Sequence, residues 1–205
     1  MKTLVSKFDK RNIPSLPRVL FQGRIVVVQS RQEAKRAVDF LLTHGIIGID
    51  TETRPTFQKG RGMNPVALLQ ASTEEICFLF RLCQTEMMDE VVRLLSPSPV
   101  LIVGLSLHDD FMQLHRRKMF RENKYVELQK LAKEFGIQDM SLLKLYANLL
   151  NGKISKKQQL SNWEAEELTE DQKRYAATDA WACIQLYKEF NRLDTEGYML
   201  DIIPE

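Results

Sequence analysis

Two acids, Asp50 and Glu52, straddle Thr51 at the end of the apolar run Ile46, Ile47, Gly48, Ile49. Residues two apart on a strand face the same side, so this spacing delivers two carboxylates together. Like charges at the end of a buried strand are costly unless a cation neutralises them, and a hard divalent ion with oxygen ligands suits that purpose. An isolated D-x-E also describes a polar strand end entering a loop, so the argument needs further acids. Tyr175 and Asp179 supply one candidate: four apart on a helix, they share a face beside the apolar stripe Ala176, Ala180, Cys183, Ile184 and Tyr187. A third segment carries adjacent acids that helical geometry separates. At about 100° per residue, Asp110 falls beside the stripe Leu107, Phe111 and Leu114, whereas Asp109 points away.

The elements that must position these groups follow from periodicity. Residues 46–50 are apolar on both faces, which predicts a central strand. Residues 24–29, 66–71, 76–82 and 100–104 read as further strands, with 72–75 as a hairpin turn. Ser30 with Glu33 and Thr169 with Gln172 predict capping boxes opening helices, the second running to about residue 190. Ser106 with Asp109 and Ser161 with Glu164 carry the same spacing. Helices are also expected over 86–95 and 139–150, and residues 125–128 read as a short strand or a helix start. A strand meander followed by alternating helices and strands predicts an α/β architecture with a mixed central sheet and helices on both faces.

Composition narrows the class. The chain has 205 residues, of which 44% are hydrophobic and 27% charged, enough apolar material for one substantial core. Its 29 basic and 27 acidic residues leave only +2, so a polyanion partner must be argued from local clusters. Cys77, Cys83 and Cys183 form neither a CxxC nor an even framework, and His44, His108 and His115 show no clamp spacing, which argues against a zinc cage. Reduced thiols and the absence of an apolar signal segment predict an intracellular, cytoplasmic protein with no membrane span.

Four acids from three separate segments, with a tyrosine one turn before the last, match a family pattern. The run 49–55 followed by 66–70 resembles the first motif of the DEDD-type 3′-5′ exonucleases. Val103-Gly104 through Asp110 and Leu114 resembles the second. Ser161-Asn162-Trp163, Leu168-Thr169 and 175–179 resemble the third in its tyrosine form. The similarity is greatest to the ribonuclease D and Werner-type exonuclease branch, over roughly 24–190. It implies a ribonuclease H-like exonuclease fold over 23–193, between a leader at 1–22 and a tail at 194–205. It also implies catalysis by Asp50, Glu52, Asp110, Tyr175 and Asp179, the four carboxylates holding two divalent cations, Mg²⁺ or Mn²⁺. Tyr175, mostly neutral at pH 7, would orient the attacking water, or accept its proton only if the metals perturb it.

An exonuclease needs groups that hold phosphates. Arg54, Lys59 and Arg61 follow the first motif with no acid between 54 and 63, and Lys153, Lys156, Lys157 and Arg174 flank the third. The implied partner is nucleic acid with single-stranded or recessed 3′ ends, DNA favoured over RNA. Ribonuclease D-like action on RNA and a non-catalytic nucleic-acid-binding module are the alternatives. Trp163 reads as a core anchor rather than a base-stacking platform.

Overall fold

The computed structural model describes residues 1–57, 64–84 and 88–203. Its main sheet is built from β2 (Arg24–Val28), β3 (Ile46–Thr53), β4 (Val66–Ser72), β5 (Ile76–Arg81), β6 (Leu101–Gly104) and β7 (Tyr125–Glu127). They lie side by side in the order β2-β5-β4-β3-β6-β7. The β3-β4-β5 meander is antiparallel, while β2 runs parallel to β5, β6 to β3 and β7 to β6. The sheet is therefore mixed, and β3 sits in its interior.

Alternation along the strands divides the core in two. Ile47, Ile49, Leu69, Ala71, Phe78 and Phe80 pack on one face, against α1 (Arg31–Leu41), α2 (Met88–Leu95) and α3 (Leu107–His115). Gly48, Asp50 and Glu52 occupy the opposite face, two apart along β3. Leu68, Cys77 and Leu79 share that face and pack beneath Tyr175, Ala176 and Ala177 of α6 (Glu170–Glu196). Helices α4 (Leu128–Glu134) and α5 (Leu142–Leu150) complete the cover around the α6 side. No helix among the described residues is long and apolar enough to cross a membrane.

The capping boxes at Ser30/Glu33 and Thr169/Gln172 both form as the spacing predicts. Other expectations change. The leader is not irregular: β1 (Lys2–Val5) pairs in parallel with β8 (Tyr198–Asp201), so leader and tail form a second, two-stranded sheet. Lys2 ties this sheet to the body through the Leu149 carbonyl and the Glu189 carboxylate. The helix expected from residue 139 begins at Leu142, because the Asp139 carboxylate accepts instead from the Phe8 amide at 2.6 Å and from Lys144 Nζ at 2.7 Å. Ser161 opens no helix: the Arg81 guanidinium takes the Ala165 and Glu166 carbonyls, and Gln172 Nε2 donates to Ser161 Oγ. The last helix continues past 190 to Glu196, where Gly197 closes it at φ +78°.

Candidate metal and catalytic site

Asp50 and Glu52 reach the site because β3 carries them past its pairing with β6, which ends at Gly48, while they stay paired with Gln70 and Leu68 of β4; a register shift follows at Glu52/Thr53. Asp179 arrives from α6, and Gly48 is what lets that helix come close. A Cβ at Gly48 would lie 2.0 Å from the Ala180 carbonyl oxygen, so only a glycine fits beneath this turn. One ligand oxygen from each of Asp50, Glu52 and Asp179 lies within 4.8 Å of the others. Glu52 and Asp179 are buried, at 8% and 6% exposure, and Asp50 is half-buried.

Asp110 approaches from α3. Its Oδ1 accepts from the Thr51 hydroxyl, between the two β3 acids, while Asp109 is exposed. The start of α3 is not capped by Ser106, which adopts φ 65° and makes no side-chain cap bond. Glu127, at the end of β7, performs that function. Its Oε1 accepts from the Ser106 amide at 2.9 Å and the Gln129 amide at 3.1 Å, and its Oε2 from the Leu107 amide at 2.7 Å. One carboxylate thus fixes the first turn that presents Asp110, and its charge matches the positive end of the helix. Sequence reasoning missed Glu127, because the two α3 amides it accepts from lie 20 and 21 residues upstream and only its bond to Gln129 is local.

The electrostatics are those of carboxylates buried side by side. Burial first, then neighbouring carboxylates, pushes Glu52 up to about 10 and Asp110 to about 8; burial and the Asp179 charge raise Asp50 to about 8. Burial also raises Asp179, to about 7, opposed by a hydrogen bond from Tyr175 and by the charge of Lys156. Burial and the surrounding acids hold the Tyr175 phenol well above its ordinary range, so it stays protonated and donates to Asp179. Asp110 Oδ2 and Asp179 Oδ1 are buried without a hydrogen-bond partner among the described residues. Orphaned carboxylate oxygens beside a cluster of oxygen donors fit a hard divalent cation.

The cluster opens into a cavity of about 260 Å³, walled also by Leu105, Leu142, Leu143, Lys156 and Gln159. The basic residues are distributed unevenly around it. Lys156 lines this cavity, and Lys157 and Arg174 line a neighbouring groove. Arg54 lines a second neighbouring cavity, which shares Thr51, Glu52 and Gln159 with this one, and pairs with Glu164 at 3.3 Å. Lys153 is committed elsewhere, donating to the Pro14 carbonyl at 2.6 Å. Lys59 and Arg61 fall outside the described residues. Trp163 is fully buried against Tyr175, and Phe57 is exposed.

Comparison with known proteins agrees with this geometry. The family described as 3′-5′ exonuclease matches residues 25–193. A Drosophila melanogaster "Exonuclease 3'-5' domain-containing protein 2" is 31% identical over 192 residues, which cover 89% of this chain but 32% of the relative. Among solved structures, the Aedes aegypti Nibbler EXO domain superposes with a TM-score of 0.75 at 20% identity, covering 86% of this chain and 91% of that one. A Trypanosoma brucei RNase D in complex with RNA U12 gives 0.73 at 17% identity, over 83% of this chain and 63% of that one. The similarity in structure establishes the shared fold.

Proposed function

Since the chain belongs to the 3′-5′ exonuclease family, we propose that it removes nucleotides from the 3′ end of a polynucleotide, releasing nucleoside 5′-monophosphates. The observation that carries this reading is the convergence of Asp50, Glu52 and Asp179 on one point, with orphaned oxygens on Asp110 and Asp179 beside it. These four acids would hold two divalent cations, Mg²⁺ or Mn²⁺, which when bound supply a nucleophile at neutral pH and charge that stabilises the leaving oxygen.

The chain's own groups do the positioning. Thr51 holds Asp110 in register with the β3 acids, and Glu127 holds the helix turn behind it. Tyr175 donates to Asp179 and is placed to orient the attacking water. Lys156, which lines the cavity close enough for its charge to act on Asp179, would face the phosphate. Leu105, Leu142 and Leu143 give the terminal base an apolar surface.

DNA is the substrate proposed first. RNA is a second reading, supported by the RNA-bound trypanosome structure, whose fold this chain shares. The test uses 5′-labelled DNA and RNA oligonucleotides with Mg²⁺ or Mn²⁺. The wild type should produce a ladder of shortened products on at least one polymer, Asp50→Ala none, and Tyr175→Phe a small residue. A well-folded wild type that shortens neither polymer with either metal overturns the proposal in favour of a non-catalytic binding module.

A further inference from the structure

Beside the acid cavity lies a small recess of about 30 Å³ that shares two of its lining residues, Tyr175 and Ser155. Three cationic side chains line it: Arg18 from the leader, Lys157 from the segment after α5, and Arg174 from α6. All three are exposed, and none makes an ion pair among the described residues. Asp171 lines the same groove, leaving an excess of two positive charges (3 − 1). Converging cations without a carboxylate partner repel one another until an anion neutralises them.

Arg18 does not hang from a loose terminus. The Lys153 amide donates to the Pro17 carbonyl at 2.8 Å and the Val19 amide to the Lys153 carbonyl at 3.0 Å, so the leader backbone is clamped on both sides of Arg18. Lys153 Nζ adds a third tie, to Pro14. Arg18 also precedes residues 25–193, the part of the chain that the family shares. The clamp holds a guanidinium at a recess bordered by Tyr175.

We propose that Arg18, with Lys157 and Arg174, forms a phosphate-binding groove that grips the polynucleotide backbone upstream of the link being cut. This rests on the exonuclease reading, because the groove shares the Tyr175 wall of the acid cavity and would guide a strand into it. Single strands held this way bind through counterion release, so the salt dependence of binding counts the phosphates engaged. An arginine that engages one phosphate contributes about 0.7 to the slope of log affinity against log salt.

The experiment measures anisotropy of 5′-fluorescein-labelled dT12 and rU12 with the full chain in Ca²⁺, across a sodium chloride series. Arg18→Ala should weaken binding about three- to tenfold and lower the salt slope by about 0.7, and Arg18→Lys should restore most of both. Unchanged affinity and slope in a folded Arg18→Ala protein overturn the groove. A separate arm on wild type alone uses thymidine 5′-monophosphate p-nitrophenyl ester with Mn²⁺, a single-nucleotide substrate with no upstream phosphate for Arg18 to engage. If wild type cleaves it while Arg18→Ala binds as wild type does, the groove fails and the exonuclease reading stands. If wild type cleaves neither ester nor oligonucleotide while Arg18→Ala still loses affinity and slope, the groove stands and the exonuclease reading fails.

Discussion

Gly48→Ala is the smallest change that should dismantle the site without touching an acid. The added Cβ would sit 2.0 Å from the Ala180 carbonyl oxygen and 3.0 Å from Ile184 Cγ1. Such contacts do not persist below 3.0 Å, so β3 and α6 must separate by at least 1.0 Å (3.0 − 2.0) at this crossing. The nearer obstacle is backbone and cannot rotate away. Ala180 directly follows Asp179, and Tyr175 lies one turn before it, so the displaced turn carries both out of register with Asp50 and Glu52. Overpacking of this kind costs about 1–3 kcal/mol, which for a chain of this size lowers Tm by roughly 2–12 °C. A 1 Å misplacement of catalytic groups costs about 100-fold in turnover. Gly45→Ala is the matched control, since nothing lies within 4 Å of a Cβ there. The assay is turnover on a labelled oligonucleotide beside a circular dichroism melt. Wild-type turnover and Tm in Gly48→Ala would refute the claim that close approach of α6 builds the site.

Three further outcomes follow from the same geometry. The acids of the cluster are raised to between about 7 and 10, so the metal-free folded state holds more protons than the unfolded chain above about pH 4. Stability of the chelator-treated protein should thus fall as pH rises from 5.5 to 8.0, by about 1.4 kcal/mol per unit for each extra proton held. Mn²⁺ should restore Tm at pH 8.0 and Asp179→Asn should flatten the profile, whereas a Tm that climbs with pH would count against an unneutralised cluster. Glu127→Ala leaves three amides at the starts of α3 and α4 without their acceptor and should cost about 1–3 kcal/mol together with most of the turnover. Glu127→Gln keeps an acceptor oxygen and should fall between; an alanine variant with full activity would show that Asp110 needs no such brace. Gln70 is fully buried opposite Asp50, with both side-chain polar atoms unpaired among the described residues. Replacing it with leucine should raise Tm by a few degrees, and a lowered Tm would mean the amide has a partner that matters.

The sequence exposed what is local. D-x-E on a strand, Tyr175 and Asp179 one turn apart, and the helical phase separating Asp110 from Asp109 each need only the repeat of one element, and the structure places each on the side its repeat predicts. Capping boxes at Ser30 and Thr169 are equally local. The same spacing misled at Ser106, because Glu127 had already taken the helix amides and the backbone at φ 65° turns the serine away. Thr51 reaching Asp110 spans 59 residues. Lys2 pairing with Tyr198 joins the two ends of the chain. Such contacts have no periodic signature, since they arise from where the sheet order and the crossing of α6 bring remote segments together. Arg18 escaped notice for the same reason: its relevance depends on backbone bonds to Lys153 that no motif encodes.

The central claim is that folded acids from β3, α3 and α6 form one divalent-cation site. Anomalous diffraction from crystals soaked in Mn²⁺ at pH 8 tests it directly. The account predicts manganese peaks within coordination distance of Asp50, Glu52 and Asp179, lost in Asp179→Asn crystals. Full occupancy of the crystal's other Mn²⁺ positions with no peak among these carboxylates would contradict it.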